Sequence, residues 1–116
     1  MEERGADFGK AFEHFLLMEI VAYKSYYRRD FLINFWRTKS GLEVDFVLNA
    51  GEIAIEVKGS ARVEKKDMHG LSAFIEANSP KKSIIICNER EKRLHGKIEI
   101  SPWEIFLREL WGGKIL

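Results

Sequence analysis

Two short segments, Leu42-Glu43-Val44-Asp45-Phe46-Val47-Leu48 and Ile53-Ala54-Ile55-Glu56-Val57-Lys58, alternate in polarity and are separated by four residues. Apolar side chains that recur with period two line one face of an extended chain, so each segment predicts a half-buried β-strand. In the first, Leu42, Val44, Phe46 and Leu48 face one way and Asp45 the other. In the second, Ile53, Ile55 and Val57 face one way, with Glu56 and Lys58 on the other. Asn49-Ala50-Gly51-Glu52 carries turn-forming residues, which makes the pair a hairpin. A symmetric loop of two or four residues places Asp45 opposite Glu56 and Glu43 opposite Lys58. A three-residue loop would slip the register by one and separate them.

Carboxylates that face each other across a ladder repel, at a cost of about a few tenths of a kcal/mol or more. A divalent cation between them would remove that cost. The plainer alternative is a solvated strand face, with Glu43 and Lys58 forming an ordinary cross-strand ion pair. The hairpin alone favours the plainer alternative; the remainder of the chain shifts the balance.

Upstream, Phe8 to Lys24 predicts an amphipathic helix, because Phe8, Phe12, Phe15, Leu16, Ile20 and Tyr23 recur at three- and four-residue spacing. Tyr26 to Asp30 connects it to a strand over Phe31 to Thr38. Downstream, Val63 to Asn78 predicts a second helix with Met68, Leu71, Phe74 and Ile75 inward, and Asn78-Ser79-Pro80 stops it. Gly70 interrupts that helix at a cost of about 1 kcal/mol. Ser83 to Asn88 is a wholly apolar strand of the kind found inside a sheet. Glu89 to Gly96 reads as a charged loop and Lys97 to Ile100 as a short strand. Ser101-Pro102-Trp103-Glu104 predicts a helix start, with Ser101 as N-cap. Trp103, Phe106, Leu107, Leu110 and Trp111 form its apolar stripe, and the chain is expected to fray through Gly112-Gly113. The order is therefore α-β-β-β-α-β with a short strand and a helix appended: an α/β fold with a mixed central sheet flanked by helices.

The bulk properties narrow the classes. A chain of 116 residues is expected to form a single domain with one core. A net charge of +1 supplies no global attraction to nucleic acid, so any such contact must come from local patches. The one cysteine, Cys87, closes an apolar run; a buried, reduced thiol suits a reducing cytoplasm. No apolar run approaches a membrane span. Met1 to Gly5 does not have the pattern of a signal peptide. Gly-Lys within Gly5 to Lys10 lacks the spacing and the following Ser or Thr of a P-loop.

Asp45, Glu56 and Lys58 spell D…E-x-K across adjacent strands. With the element order, this resembles the PD-(D/E)XK nuclease superfamily, the restriction-endonuclease-like fold. A closer resemblance runs from Gly9 to Trp103 through Gly9-Lys10-Ala11-Phe12-Glu13, Phe35-Trp36-Arg37-Thr38, Glu43 to Leu48, Ile55-Glu56-Val57-Lys58 and Ser101-Pro102-Trp103. These stretches resemble the C-terminal domain of uncharacterised prokaryotic AAA+-type ATPases, a domain of unknown function assigned to that superfamily. In such proteins an ATPase module and a winged-helix-like region come first, so this chain resembles an excised or free-standing C-terminal domain.

The resemblance implies a divalent-metal-dependent nuclease acting on DNA. Asp45 and Glu56 would hold Mg²⁺ or Mn²⁺, with the Val57 carbonyl completing the site. Lys58 would position the attacking water or stabilise charge on the phosphorane, and Glu13 would be an outer acid. Glu19, nearer the centre of the helix's apolar stripe, is the rival for that last role, because a carboxylate among apolar groups needs a partner. The alternative function is a non-catalytic nucleic-acid-binding or regulatory domain of such an ATPase.

Weaker features remain. Arg62, Lys65 and Lys66 at the start of the second helix, with Arg37, could contact a nucleic-acid backbone; a solvated helix end accounts equally for the first three. Lys24, Arg28 and Arg29 among Tyr23, Tyr26 and Tyr27 mix charge and aromatics as single-strand binders do, or simply pack. The stripe of Trp103, Phe106, Leu110 and Trp111 either covers the chain's own sheet or buries against a partner, a homodimer included. His14, His69 and His95 match no zinc spacing.

Overall fold

Helix α1, Ala6–Tyr26, opens the computed structural model, which describes residues 6–116. The expectation about Met1 to Gly5 lies outside the described residues. Phe12, Leu16, Ile20 and Tyr23 of α1 are buried at the expected helical spacing. There follow β1 (Ile33–Arg37), β2 (Glu43–Leu48), β3 (Ile53–Val57), one turn of 3₁₀ helix (Lys65–Met68), α2 (His69–Asn78), β4 (Lys82–Cys87), β5 (Arg93–His95), β6 (Ile98–Pro102) and α3 (Trp103–Trp111). The six strands form one mixed sheet in the order β1-β2-β3-β4-β6-β5. β3, β4 and β6 are parallel neighbours, while β1–β2, β2–β3 and β5–β6 pair antiparallel.

Three layers result. Phe46, Leu48, Ile53, Ile55, Ile84 and Ile86 point to one side, where α1 and α3 cover them through Leu16, Ile20, Phe106 and Leu110. Val44, Val47, Ala54, Ile85, Cys87, Ile98 and Ile100 point to the other, beneath Leu71 and Phe74 of α2. Each fully buried aliphatic side chain contributes about 1.5–3 kcal/mol. β3 and β4 are thus buried on both faces. That was expected of β4 but not of β3, whose Ala54 is as buried as its isoleucines.

The strict alternation expected of β2 is broken. Asn34 pairs with Val47, but the next pair is Trp36 with Val44, so Phe35 on β1 stands against both Asp45 and Phe46 on β2. This bulge reverses the facing of everything N-terminal to it. Val44 consequently joins Val47 on the α2 side instead of joining Phe46 and Leu48.

Several local expectations are corrected by long-range pairing. The second helix starts as a 3₁₀ turn at Lys65, and its α-helical part begins only at His69. Gly70 proves to be a packing requirement: a Cβ there would run into the Glu43 carbonyl oxygen, so α2 can lie on β2 only because no side chain intervenes. Part of the expected Glu89 to Gly96 loop is strand β5, held to β6 by Arg93↔Ile100 and His95↔Ile98. Ser101 is no N-cap; it is buried in β6 opposite Ile86, and α3 begins at Trp103. The end of the chain docks instead of fraying: Ile115 is buried, and the Tyr23 hydroxyl donates to the Leu116 carbonyl at 2.8 Å. The stripe of α3 packs on the chain's own sheet and α1. Among the described residues, no helix is long and apolar enough to cross a membrane.

Candidate functional site

β2 and β3 pair through Leu48↔Ile53, Val47↔Ala54 and Phe46↔Ile55. The four-residue loop is symmetric, so the next step of this register brings Asp45 against Glu56, as expected for such a loop. There the side chains take over from the backbone ladder. The Asp45 amide donates to Glu56 Oε1 at 3.2 Å, and the Val57 amide donates to Asp45 Oδ2 at 2.8 Å. The strands part at the bulge, and each carboxylate occupies an acceptor position that a carbonyl holds elsewhere in the sheet.

Glu56 is only 7% exposed. Burial pushes its carboxyl up to about 8, the Asp45 charge adds to the shift, and Lys58 works against it. Burial also raises Asp45, opposed by the Val57 amide and by Lys58. Burial thus favours the protonated form of both carboxyls, and of Glu56 most strongly. Lys58 Nζ lies 3.6 Å from Glu56 Oε2, and the lysine side chain is partly exposed. The Glu43–Lys58 ion pair of the plainer alternative does not form. The strands have separated by that point, and Glu43 instead meets its β1 partner Arg37 at 3.2 Å.

Asp45, Glu43, Val44, Glu13, Phe35 and Arg37 line a cavity of about 340 Å³. Glu56 is not among its walls. Glu13 is half-buried on α1, and its carboxyl is raised by burial and then by the charges of Asp45 and Glu43. Glu19 is engaged elsewhere, accepting the Trp111 indole N–H at 3.0 Å. Of the two rival helix acids, Glu13 shares the cavity with Asp45, and Glu19 holds α3 to α1.

The other expected contact residues do not converge on this cavity, Arg37 excepted. Arg62, Lys65 and Lys66 are exposed near the start of the 3₁₀ turn. That turn supplies its own anion: the Glu64 amide donates to Asp67 Oδ2 at 2.9 Å, and Lys66 pairs with Glu64 at 3.6 Å. Tyr23, Tyr26 and Tyr27 gather around Trp111 with ring centroids 5.6, 6.0 and 6.1 Å away. His14, His69 and His95 are exposed, and Cys87 is buried and free. A larger cleft of about 500 Å³, bordered by Ser72, Glu76, His95 and Lys97, contains no facing carboxylates.

One cluster carries no sequence signal. Arg93 forms a fork with Glu89 (Nε to Oε1 and Nη2 to Oε2, both 2.8 Å), while Glu89 accepts the Val63 amide at 2.7 Å and Arg93 donates to the Val63 carbonyl at 3.1 Å. The Arg93 hydrogen bonds hold the Glu89 carboxyl down at about 2. This clamp ties the segment after β3, and so the approach to α2, to the end of β4. Val63 is too remote from Glu89 and Arg93 along the chain for any local pattern to announce the contact.

The donor set suits a small hard cation in part. Two adjacent carboxyls, both raised by burial, form a place where a divalent ion could replace a proton. Among the described residues no group of three or more His, Cys, Asp or Glu side chains stands ready to hold a metal. The match is therefore to an ion such as Mg²⁺, which keeps several waters and accepts one or two protein carboxylates.

A family model described as a domain of unknown function, DUF4143, matches residues 8–106. No curated protein and no solved structure matches the chain.

Proposed function

The chain belongs to the DUF4143 family, and we propose that it is a divalent-metal-dependent nuclease domain of the PD-(D/E)XK type, hydrolysing phosphodiester bonds in DNA. The observation that carries this reading is the convergence of Asp45 and Glu56 at the bulge, with the Lys58 ammonium 3.6 Å from Glu56. The element order α-β-β-β-α-β supports it, since Asp45 falls on the second strand, Glu56 near the end of the third, and Lys58 directly after it. In this reading the domain works in the cytoplasm attached to an AAA+-type ATPase, which would deliver or remodel the nucleic acid.

Asp45 and Glu56 would hold Mg²⁺ or Mn²⁺, with the Val57 main chain beside them. The ion would polarise the phosphate and lower the pKa of a bound water. Lys58 would orient the attacking water or stabilise the charge that develops on the phosphate oxygens. Glu13, across the cavity, would hold waters around the ion and tune its affinity. Arg37 would neutralise a backbone phosphate at the cavity mouth, exchanging Glu43 for it.

A second reading has its own observation. All buried side-chain polar atoms among the described residues have partners, and Lys58 already pairs with Glu56. A self-satisfied cluster fits a non-catalytic domain that binds nucleic acid or regulates an ATPase. Incubation of end-labelled single-stranded, duplex and branched DNA with Mg²⁺ or Mn²⁺ separates the two. The nuclease reading expects cleavage by the wild type and a loss of roughly 100-fold or more in Asp45→Asn and Lys58→Ala. Equal cleavage by wild type and Asp45→Asn, or none by either on any substrate form, would favour the second reading.

A further inference from the structure

We propose that Phe35 is a base-stacking platform at the mouth of the acidic cavity, and that the strand it receives is unpaired. This inference rests on the nuclease reading for the identity of the ligand. It deepens that reading by naming the form of the substrate.

The bulge is the origin of the platform. Phe35 is the residue of β1 that stands against two residues of β2, while its neighbour Trp36 turns under α2 and meets Phe74 edge-on at 5.3 Å. Adjacent strand residues point to opposite faces, so Phe35 is directed to the α1 side, where it lines the cavity with Asp45 and Glu13. It is 71% exposed, second only to Tyr26 among the described large apolar side chains. An aromatic ring left in water beside a charged cavity has a π-face to offer, and among the described residues no aromatic ring pairs with it.

Charge decides what that face receives. Among the described residues, the cavity carries Glu13, Glu43 and Asp45 against the one cation Arg37, whose guanidinium is already held by Glu43 at 3.2 Å. The chain's net charge is +1. Phosphate attraction is therefore weak here, and affinity must come from contacts that do not depend on charge. Stacking is such a contact, and it needs a base whose face is free, which a paired duplex does not present. At about 340 Å³ the cavity lies at the small end of the roughly 300–1,000 Å³ typical of ligand pockets, a scale suited to one nucleotide.

Fluorescence anisotropy with labelled oligothymidylate and with a duplex hairpin, in Ca²⁺ to suppress turnover, tests this on the full chain. Phe35→Ala and Phe35→Leu should each weaken single-strand binding roughly 5- to 100-fold, and Phe35→Trp should restore it, with duplex binding unmoved. Because Phe35 is exposed, these substitutions leave the fold intact, which circular dichroism checks. Wild-type affinity in Phe35→Ala, full rescue by Phe35→Leu, an equal loss on duplex, or no preference of the wild type for the single strand would overturn the proposal. Calorimetric Mn²⁺ binding to the same variants keeps the two ideas apart. A metal site that persists in Phe35→Ala leaves the nuclease reading standing when stacking fails. Stacking without metal binding in the wild type leaves the platform standing and removes the nuclease reading.

Discussion

Asp45 and Glu56 are joined through their side chains at the point where the β2–β3 backbone ladder ends, with the Asp45 amide donating to Glu56 and the Val57 amide to Asp45. The consequence is a pair of carboxyls at one spot, one of them buried and raised to about 8. Stability, metal affinity and pH are therefore linked through one proton.

Glu56 keeps its proton up to about 8 in the folded chain, against 4.5 for an unperturbed glutamate. Between those values the folded state binds more protons than the unfolded one. Stability is then fully present below the unfolded value and declines as pH rises through the window, by at most about 1.4 kcal/mol per unit. Glu56→Gln, permanently neutral and nearly isosteric, should flatten that decline. Urea midpoints measured from about pH 5 to about pH 8 on both proteins check it. An identical slope in the two proteins would mean that Glu56 is ionised throughout.

Ile55→Ala on the same strand should behave differently. Its side chain is wholly buried between the sheet and the α1–α3 layer, so its truncation should cost about 2–5 kcal/mol. Equal stability losses from Ile55→Ala and Glu56→Gln at neutral pH would contradict the assignment of faces on β3.

Gly70→Ala discriminates propensity from packing. Helix propensity alone predicts a gain of about 1 kcal/mol. The Glu43 carbonyl leaves no room for a methyl group, so a net loss of about 1–3 kcal/mol is expected, with α2 pushed off β2. Thermal or urea denaturation gives the sign directly.

Much of this arrangement was legible in the amino-acid order. Period-two runs located β2 and β3, a wholly apolar run located β4, and the four-residue loop brought Asp45 to Glu56. The bulge was not legible, because Val44, Phe46 and Leu48 alternate whether or not an extra residue is inserted opposite Phe35. Ser101-Pro102 carried a strong local helix-start signal that parallel pairing with β4 overrode. Glu89 and Arg93 looked like loop charges because the Val63 backbone they hold is remote in sequence. The adjacent aromatics Phe35 and Trp36 did contain a clue: two neighbours in a strand cannot both face the same layer.

Glu13 and Glu19 should part company on substitution. Glu19→Ala removes the acceptor of the Trp111 indole and should cost about 1 kcal/mol, leaving metal affinity unchanged. Glu13→Gln should spare stability and lower metal affinity about tenfold or more. Paired denaturation and calorimetry on both variants check the assignment, and the reverse pattern would exchange the two roles.

The Glu89–Arg93 clamp should fail in acid. Its carboxyl, held at about 2, supplies stability above the unfolded value near 4.5 that is lost as pH falls through that interval. Glu89→Gln should cost about 1.5–3 kcal/mol at neutral pH and remove this part of the acid sensitivity. Acid titrations of the far-ultraviolet circular dichroism of wild type and variant make the comparison.

A calorimetric titration with Mn²⁺ and Mg²⁺, at about pH 8 and in the presence of a short DNA strand, on wild type and Asp45→Asn bears most directly on the central claim. A divalent ion held between Asp45 and Glu56 requires binding with proton release in the wild type, weaker at lower pH, and none in Asp45→Asn. Undiminished binding in Asp45→Asn, or no binding to the wild type at millimolar metal with DNA present, would contradict it.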